Sequence, residues 1–125
     1  MEIIRRDEVP VLVNPGVASH QLVSPQNSAS TRLTVTRVVL APGAVNSRHR
    51  HVSAEQVWVA LSGSGKLLLA DAATLPFAAG DTARFADGDV HGLENTGASD
   101  FVYLAVTSPP LDFRGAYASP ATPAR

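Results

Sequence analysis

The sequence alternates with a period of two residues over most of its length, and turn residues interrupt this pattern at short intervals. The segment Thr31-Arg-Leu-Thr-Val-Thr-Arg-Val-Val-Leu40 is rich in β-branched residues and is followed by Pro42-Gly43. Such segments are typical of β-strands. Strands are predicted at residues 10–13, 18–23, 31–40, 45–51, 56–61, 65–70, 82–85, 89–95 and 101–107. Because no convincing amphipathic helix accompanies them, the pattern predicts an all-β sandwich or barrel.

The length of 125 residues is that of one domain with a single core. Residues 1–110 are predicted to form this domain. Residues 111–125 are predicted to form a proline-rich C-terminal tail that cannot supply a central strand. The tail contains Leu111, Phe113 and Tyr117, which are expected to pack on the domain or on a partner subunit, whereas its last residues are expected to be disordered.

Composition excludes several classes of function. The chain has no cysteine, so neither disulfides nor thiolate metal ligands are available. Its net charge is −1 with acids and bases interspersed, and therefore no basic stripe indicates a nucleic-acid partner. The first apolar run, residues 9–13, is too short for a secretion signal, and no apolar stretch approaches the length of a membrane span. We expect a cytoplasmic protein.

Three of the four histidines lie in two glycine-framed segments, residues 43–63 and 80–95. In a regular strand the side chains of His49 and His51 point to the same face, because successive side chains alternate. Two imidazoles can then bind one ion, and His91 is the natural third ligand in a chain with few histidines. The spacing therefore predicts a metal site made by both segments.

The two segments resemble the paired motifs of the cupin superfamily. The first family motif contains His-x-His, then a glutamate and a closing glycine; His49, His51 and Gly63 match it. Gly80, Gly88, His91 and Asn95 match the second motif, with Ala86 in the place of the usual proline. The chain is therefore similar to the small single-domain cupins with one conserved barrel (the type-2, RmlC-like group).

This resemblance implies a double-stranded β-helix, or jelly-roll barrel, in which residues 49–56 lie beside residue 91. It also implies one bound divalent transition-metal ion (Zn, Ni, Mn or Fe), a small-molecule substrate and a homodimer. We expect the dimer to form through a sheet edge that an unpaired N-terminal strand provides.

Two residues compete for the position of the fourth ligand. Six residues separate Gln56 from Gly63, as in the family motif, whereas Glu55 leaves seven. Neighbours on a strand face opposite sides, so only one of the two can face inward. The spacing favours Gln56, but Glu55 would bring Val57, Val59 and Leu61 inward, which is the more ordinary core face. The alternative therefore stays open.

The identity of this ligand changes the expected chemistry. With Gln56, all four ligands are neutral and the ion keeps its full charge, which suits Lewis-acid chemistry on an oxygenated, anionic substrate, as in an isomerase or lyase. With Glu55, the ligand set approaches that of non-haem iron and manganese oxygenases, which favours a dioxygenase. A non-catalytic ligand-binding or sensor barrel is the third hypothesis.

Further residues are candidates for the substrate pocket. Glu55 or Glu94, whichever faces the cavity, is the predicted general base. Trp58 and Tyr103 are candidates for lining the pocket, although packing is the plainer role. Arg37 lies on an apolar strand face, which suggests either a pocket partner for an anion or an interface salt bridge. Less specific roles are expected for the remaining polar residues of interest: solvated or interface positions for Arg48 and Arg50, a surface position for His20, and a turn-fastening role for Asn95.

Overall fold

A computed structural model describes residues 1–117 of the protein, which form ten β-strands and three short 3₁₀ turns. The strands are β1 (Val11–Asn14), β2 (Val17–Val23), β3 (Thr34–Leu40), β4 (Val45–His49), β5 (Glu55–Ser62), β6 (Ser64–Leu68), β7 (Thr74–Ala78), β8 (Thr82–Phe85), β9 (His91–Asn95) and β10 (Phe101–Ser108). No helix in this part of the chain is long and apolar enough to cross a membrane.

The strands form two antiparallel sheets that face each other. The first sheet has the order β1-β2-β3-β10-β5-β8 and the second the order β4-β9-β6-β7. Neighbours within each sheet are mostly distant in sequence, as in a jelly roll, so the chain passes repeatedly from one sheet to the other. The predicted all-β, double-stranded β-helix is confirmed. This topology places the end of β4 beside the start of β9, with His49 directly opposite His91.

The core lies between the sheets and follows from the alternation of side chains. In β3 and β10 every second residue is buried, as expected for strands that cover a core with one face. The largest buried side chains are aromatic: the Trp58 ring lies 4.4 Å from Tyr103 and 5.1 Å from Phe85, measured between ring centroids. Burying each such ring stabilises the fold by about 1.5–3 kcal/mol.

One strand, β7, was not predicted. Its sequence Thr-Leu-Pro-Phe-Ala contains Pro76, which cannot donate a hydrogen bond to a neighbouring strand. Among the described strands, β7 is an edge of the smaller sheet and pairs only with β6, where Pro76 lies opposite Lys66. The edge position explains why proline is tolerated there.

The C-terminal tail continues the fold as far as the description reaches. A 3₁₀ turn covers Phe113–Ala116, and the Asn14 side-chain amide donates a hydrogen bond of 3.3 Å to the Ala116 carbonyl. Tyr117 packs against the core. The expectation that apolar residues of the tail pack on the domain is therefore met for Tyr117, whereas residues 118–125 lie outside the described part.

Candidate metal centre and its cavity

Three imidazoles from separate segments meet inside one end of the barrel. The ring centroids of His49, His51 and His91 lie 4.4–5.3 Å apart, and one ring nitrogen from each lies within 4.8 Å of the others. His49 ends β4, His51 follows it in a loop, and His91 begins β9. Nitrogen atoms at these separations can bind one ion jointly.

The strand that carries His49 is shorter and less regular than the sequence suggested. Strand β4 ends at His49, and its pairing with β9 shifts register between Asn46 and His49. A bulge of this kind bends the strand and changes the direction of its side chains. The shift places His49 opposite His91, and the end of β4 leaves His51 in the following loop; the His-x-His spacing alone reveals neither feature.

Gly92 makes room for this bulge. A Cβ atom on Gly92 would lie 2.6 Å from the Asn46 carbonyl oxygen and 3.0 Å from the Arg48 amide nitrogen. Both are backbone atoms, so neither can swing aside as a flexible side chain would. The absent side chain at residue 92 thus allows β4 to approach β9 where the ligands pair.

We expect Gly92→Ala to lower the free energy of unfolding by about 1–3 kcal/mol, the usual cost of forcing extra volume into a packed site, and to weaken metal binding because the backbone around Arg48 must move. Denaturant unfolding and metal titration measure the two effects. Gly65→Ala is the matched control, since its Cβ would meet the Glu94 carbonyl oxygen at 2.3 Å in the same sheet. A control that lost metal affinity equally would contradict a specific role for Gly92.

The turn before β9 aligns the third histidine. Gly88 adopts a left-handed conformation, with φ of 84°, and its N–H donates a hydrogen bond to the His51 carbonyl, which joins the two motifs. The Ala86 N–H donates to the Asp89 carboxylate at 2.9 Å. Proline, which the family usually has here, could not donate this bond. Because alanine at residue 86 retains its N–H, the Asp89 side chain can cap this turn.

Hydrogen bonds fix which nitrogen two of the histidines offer. The His49 Nδ1 lies 2.7 Å from the Ser47 carbonyl oxygen, and the His91 Nδ1 lies 2.8 Å from the Asp89 carbonyl oxygen. A carbonyl only accepts, so each Nδ1 carries the proton and each Nε2 has a free lone pair. The Nε2 atoms of His51 and His91 are buried, and neither has a hydrogen-bond partner in the described part of the chain. Buried unpaired nitrogens of this kind fit a metal site.

Burial also keeps the rings of His51 and His91 neutral. Desolvation lowers the pKa of His91 to about 4, the backbone bond to Asp89 opposes this shift, and the neighbouring His49 and His51 add to it. Desolvation, followed by the nearby His49, likewise lowers the pKa of His51. Because a metal ligand must be unprotonated, both rings are ready to bind at neutral pH.

The structure places Gln56 inside the barrel and Glu55 outside. Gln56 is only 4% exposed and lines the same cavity as His49 and His51. The Glu55 carboxylate instead forms an ion pair with Arg84 on the neighbouring strand β8, where both side chains are well exposed. Val57 and Val59 share the outer face with Glu55, whereas Trp58 and Ala60 are buried. The inward position therefore belongs to the neutral residue.

Neither predicted general base reaches the cavity, and this corrects the sequence-based interpretation. Glu55 lies on the outer face, as described above. Glu94 is half-exposed on β9 and alternates with the buried residues Leu93 and Asn95. Strand alternation puts its side chain opposite to that of His91. Among the described residues that line the cavity, none is aspartate or glutamate.

Arg37 also lies outside the cavity, on the outer face of the six-stranded sheet. It is half-buried on β3, opposite His20 on β2 and Leu104 on β10, whereas the inward neighbours Thr36 and Val38 line the cavity. The substrate-pocket interpretation of Arg37 is therefore corrected. His20 is half-exposed beside it, and burial together with the charge of Arg37 lowers the pKa of His20.

Trp58 and Tyr103 do line the cavity, which has a volume of about 470 Å³. The Asn46 amide donates a hydrogen bond of 2.9 Å to the Tyr103 hydroxyl. Burial raises the pKa of Tyr103 far above its ordinary value, so the phenol stays protonated. The remaining wall of the larger sheet is formed by neutral hydrogen-bonding and apolar side chains, including Ser19 and Thr36.

The cavity has a cover that the sequence did not reveal as part of the site. Phe113, Ala116 and Tyr117 line it, and the Phe113 ring lies 6.0 Å from that of His51. The apolar residues within the proline-rich tail were a signal of packing, but not of where they pack. Asn46 was missed as well, because nothing in its local sequence indicates its contact with Tyr103.

Two of the other polar residues, Arg48 and Asn95, have structural partners. Arg48 lines the cavity rim, and its guanidinium donates hydrogen bonds of 2.7 and 3.3 Å to the carbonyls of Leu69 and Ala73. Arg50 is exposed. The Asn95 amide donates to the carbonyls of Leu40 and Ser99 at 2.9 Å, which agrees with the expected turn-fastening role.

Comparison with known proteins gives the same assignment. The family model for the cupin domain matches residues 36–107. Auxin-binding protein 1 of Arabidopsis thaliana is 37% identical over 78 residues, which cover 56% of this chain; the chain spans only 39% of that protein.

Two solved structures show the fold. An uncharacterized protein with a double-stranded β-helix domain from Klebsiella pneumoniae has a TM-score of 0.73, with 22% identity and 98% of both chains covered. The polyketide cyclase RemF of Streptomyces resistomycificus has a TM-score of 0.75, with 18% identity, 98% of this chain and 84% of that chain covered. With both motif segments inside the matched region and the three histidines gathered in its barrel, the chain belongs to the cupin family.

Proposed function

We propose that this cupin binds one divalent transition-metal ion through His49, His51 and His91, with Gln56 as the fourth ligand, and acts on a small oxygenated, anionic molecule. The observation that carries the proposal is the pair of buried Nε2 atoms, on His51 and His91, that have no hydrogen-bond partner within residues 1–117. Unpaired buried nitrogens are costly unless a ligand satisfies them.

The charge of the cavity supports an anionic substrate. All four proposed ligands are neutral, and the described cavity lining contains no carboxylate. Arg48 is its only charged side chain, and carbonyls already engage this guanidinium. When bound, the ion would supply Lewis-acid polarisation of a carbonyl or hydroxyl oxygen. The substrate is therefore the natural source of negative charge.

The protein's own residues would bind and enclose this molecule. The protonated Tyr103 hydroxyl, positioned by Asn46, offers a hydrogen bond to a substrate oxygen. Phe113 and Tyr117 cover the cavity and would exclude water, which strengthens electrostatic interactions inside it. An isomerase or lyase reaction suits such a site better than a dioxygenase, because the one carboxylate considered as a ligand, Glu55, lies on the outer face.

A ligand-binding role without catalysis is the second candidate. It is favoured by the 37% identity to a protein named for binding auxin. A binding protein would need the same cavity as an enzyme. The two candidates therefore differ only in whether the bound molecule is converted to a product.

The test begins with protein purified without added metal. Elemental analysis and titration with Zn²⁺, Ni²⁺, Mn²⁺ and Fe²⁺ are expected to give one ion per chain. Malate, a small hydroxy acid, is expected to bind the metal-loaded protein and not the metal-free protein, as measured by calorimetry. A protein that binds none of these ions would contradict the proposal. Conversion of small hydroxy and keto acids, followed by NMR, would separate an enzyme from a binding protein.

We also propose a cytoplasmic homodimer. Strand β1 is an edge of the larger sheet. The outer face of that sheet is apolar in character, because it carries the exposed Leu61 and the half-exposed Val57, Val59 and Leu104. Light scattering at working concentration is expected to give twice the chain mass of 13.1 kDa. A monomer would exclude this arrangement.

A further inference from the structure

The side-chain amide of Gln56 is held at both ends by buried partners. Its Nε2 donates a hydrogen bond of 2.7 Å to the Thr107 hydroxyl, and its Oε1 accepts one of 2.8 Å from the Trp58 indole nitrogen. These three residues are between 1% and 4% exposed. The amide therefore has a defined orientation rather than a choice of two.

This orientation matters because the two ends of an amide have opposite chemistry. The oxygen has two lone pairs and can bind a cation, whereas the NH₂ group only donates. An indole N–H also only donates, so Trp58 determines which end of the amide is the oxygen. Thr107 accepts from the other end and prevents the amide from turning. One lone pair of Oε1 remains after the bond to Trp58.

We propose that Thr107 is a positioning residue: through its hydrogen bond to Nε2 it holds Gln56 so that the amide oxygen, never the nitrogen, is available to an ion bound by the three histidines. The inference rests on the proposed metal site. It extends that site by a residue on β10 that none of the motif positions includes.

Trp58 connects this amide to the histidines. Its ring lies edge-on to His91, with 5.3 Å between centroids, and His91 stacks on Phe85 at 4.3 Å. A change in the Gln56 amide therefore alters the hydrogen bond of a ring that touches a proposed ligand. Outer-shell groups of this kind affect metal affinity because they orient the groups that bind the metal.

Thr34 provides a matched control. It lies directly opposite Thr107 in the pairing of β3 with β10, and it is completely buried. Its hydroxyl has no hydrogen-bond partner among the described residues. Thr34→Val and Thr107→Val thus replace the same atom by the same methyl group at neighbouring buried positions, but only the second change breaks a bond to Gln56.

The experiment compares Thr107→Val, Thr34→Val and Thr107→Ser with the unchanged protein in two measurements. The first is the NMR signal of the indole N–H in the metal-free protein, which is unambiguous because Trp58 is the only tryptophan. The second is Co²⁺ binding, with the affinity taken from competition with a chelator and the coordination from the visible spectrum. If Thr107→Val does not fold, Thr107→Ala, which removes the same hydroxyl, takes its place in both measurements.

We expect Thr107→Val to shift the indole signal, speed its exchange with solvent and weaken Co²⁺ binding by about tenfold or more. Thr107→Ser is expected to restore both, and Thr34→Val to change neither. An unchanged indole signal in Thr107→Val, or an equal loss of Co²⁺ affinity in Thr34→Val, would overturn the inference. If the unchanged protein binds no Co²⁺, the metal site itself fails, and the indole signal still decides whether Thr107 holds the amide.

Discussion

Replacing His91 with alanine is expected to reduce the affinity for divalent transition metals by more than about 100-fold, since even the loss of an outer-shell partner typically costs 10–100-fold. His91 is the most deeply buried of the three histidines, at 1% exposure, and its Nδ1–H is held by Asp89, so Nε2 is fixed toward the site. No other described histidine, cysteine or carboxylate joins the cluster to replace it. Competition titration against a chromophoric chelator measures the loss.

The fourth histidine is the control for this prediction. His20 lies on the outer face of β2 beside Arg37, outside the cavity. His20→Ala is therefore expected to bind metal as the unchanged protein does. Tight binding retained by His91→Ala, or lost equally in His20→Ala, would show that the ion binds elsewhere.

The metal-free protein is expected to lose about 3 kcal/mol of stability between pH 7 and pH 4. The pKa of His91 is 6.5 in its ordinary environment and about 4 in the folded protein, and each unit of difference corresponds to about 1.4 kcal/mol. Below pH 6.5 His91 takes up a proton in the unfolded chain but not in the folded protein. The contribution of the buried, neutral His91 to stability therefore falls as pH falls and is lost below about pH 4. His51 and His20, whose pKa values are also lowered, act in the same direction.

Urea unfolding of the metal-free protein at several pH values between 7 and 4 measures this slope. The carboxylates with lowered pKa values, Asp112 and Glu2, have ordinary pKa values of 3.8 and 4.5, so their contributions to stability begin to fall only at the lower end of this range. The slope between pH 7 and about 5 therefore reports the histidines. His91→Gln, whose side chain does not titrate, is expected to flatten the curve. A stability that is constant across the range in the unchanged protein would mean that His91 is not buried in its neutral form.

The sequence predicted those parts of the structure that depend on local pattern. Alternation identified β3 and β10, and the spacing of His49, His51 and His91 indicated that they meet. Alternation did not decide between Glu55 and Gln56, because β5 has apolar residues on both faces. A strand that is apolar on both sides gives no signal of its orientation.

The rest depends on contacts between distant parts of the chain. The bulge in β4 needs the absent side chain of Gly92, on another strand. Strand β7 is possible because Pro76 lies at a sheet edge, a position that only the completed topology defines. Thr107 is an ordinary strand residue in the sequence and acquires its partner, Gln56, only when β10 pairs with β5.

The cover formed by Phe113, Ala116 and Tyr117 comes from a stretch that follows the last strand and belongs to neither sheet. Substitutions of these side chains would reshape that side of the cavity while the pairing of the strands, in which none of them takes part, stayed the same. Part of the shape of the cavity is thus encoded outside the strands that form the barrel. Selection could therefore change which molecule this barrel accepts by altering a few residues after its last strand, while the two sheets stayed intact.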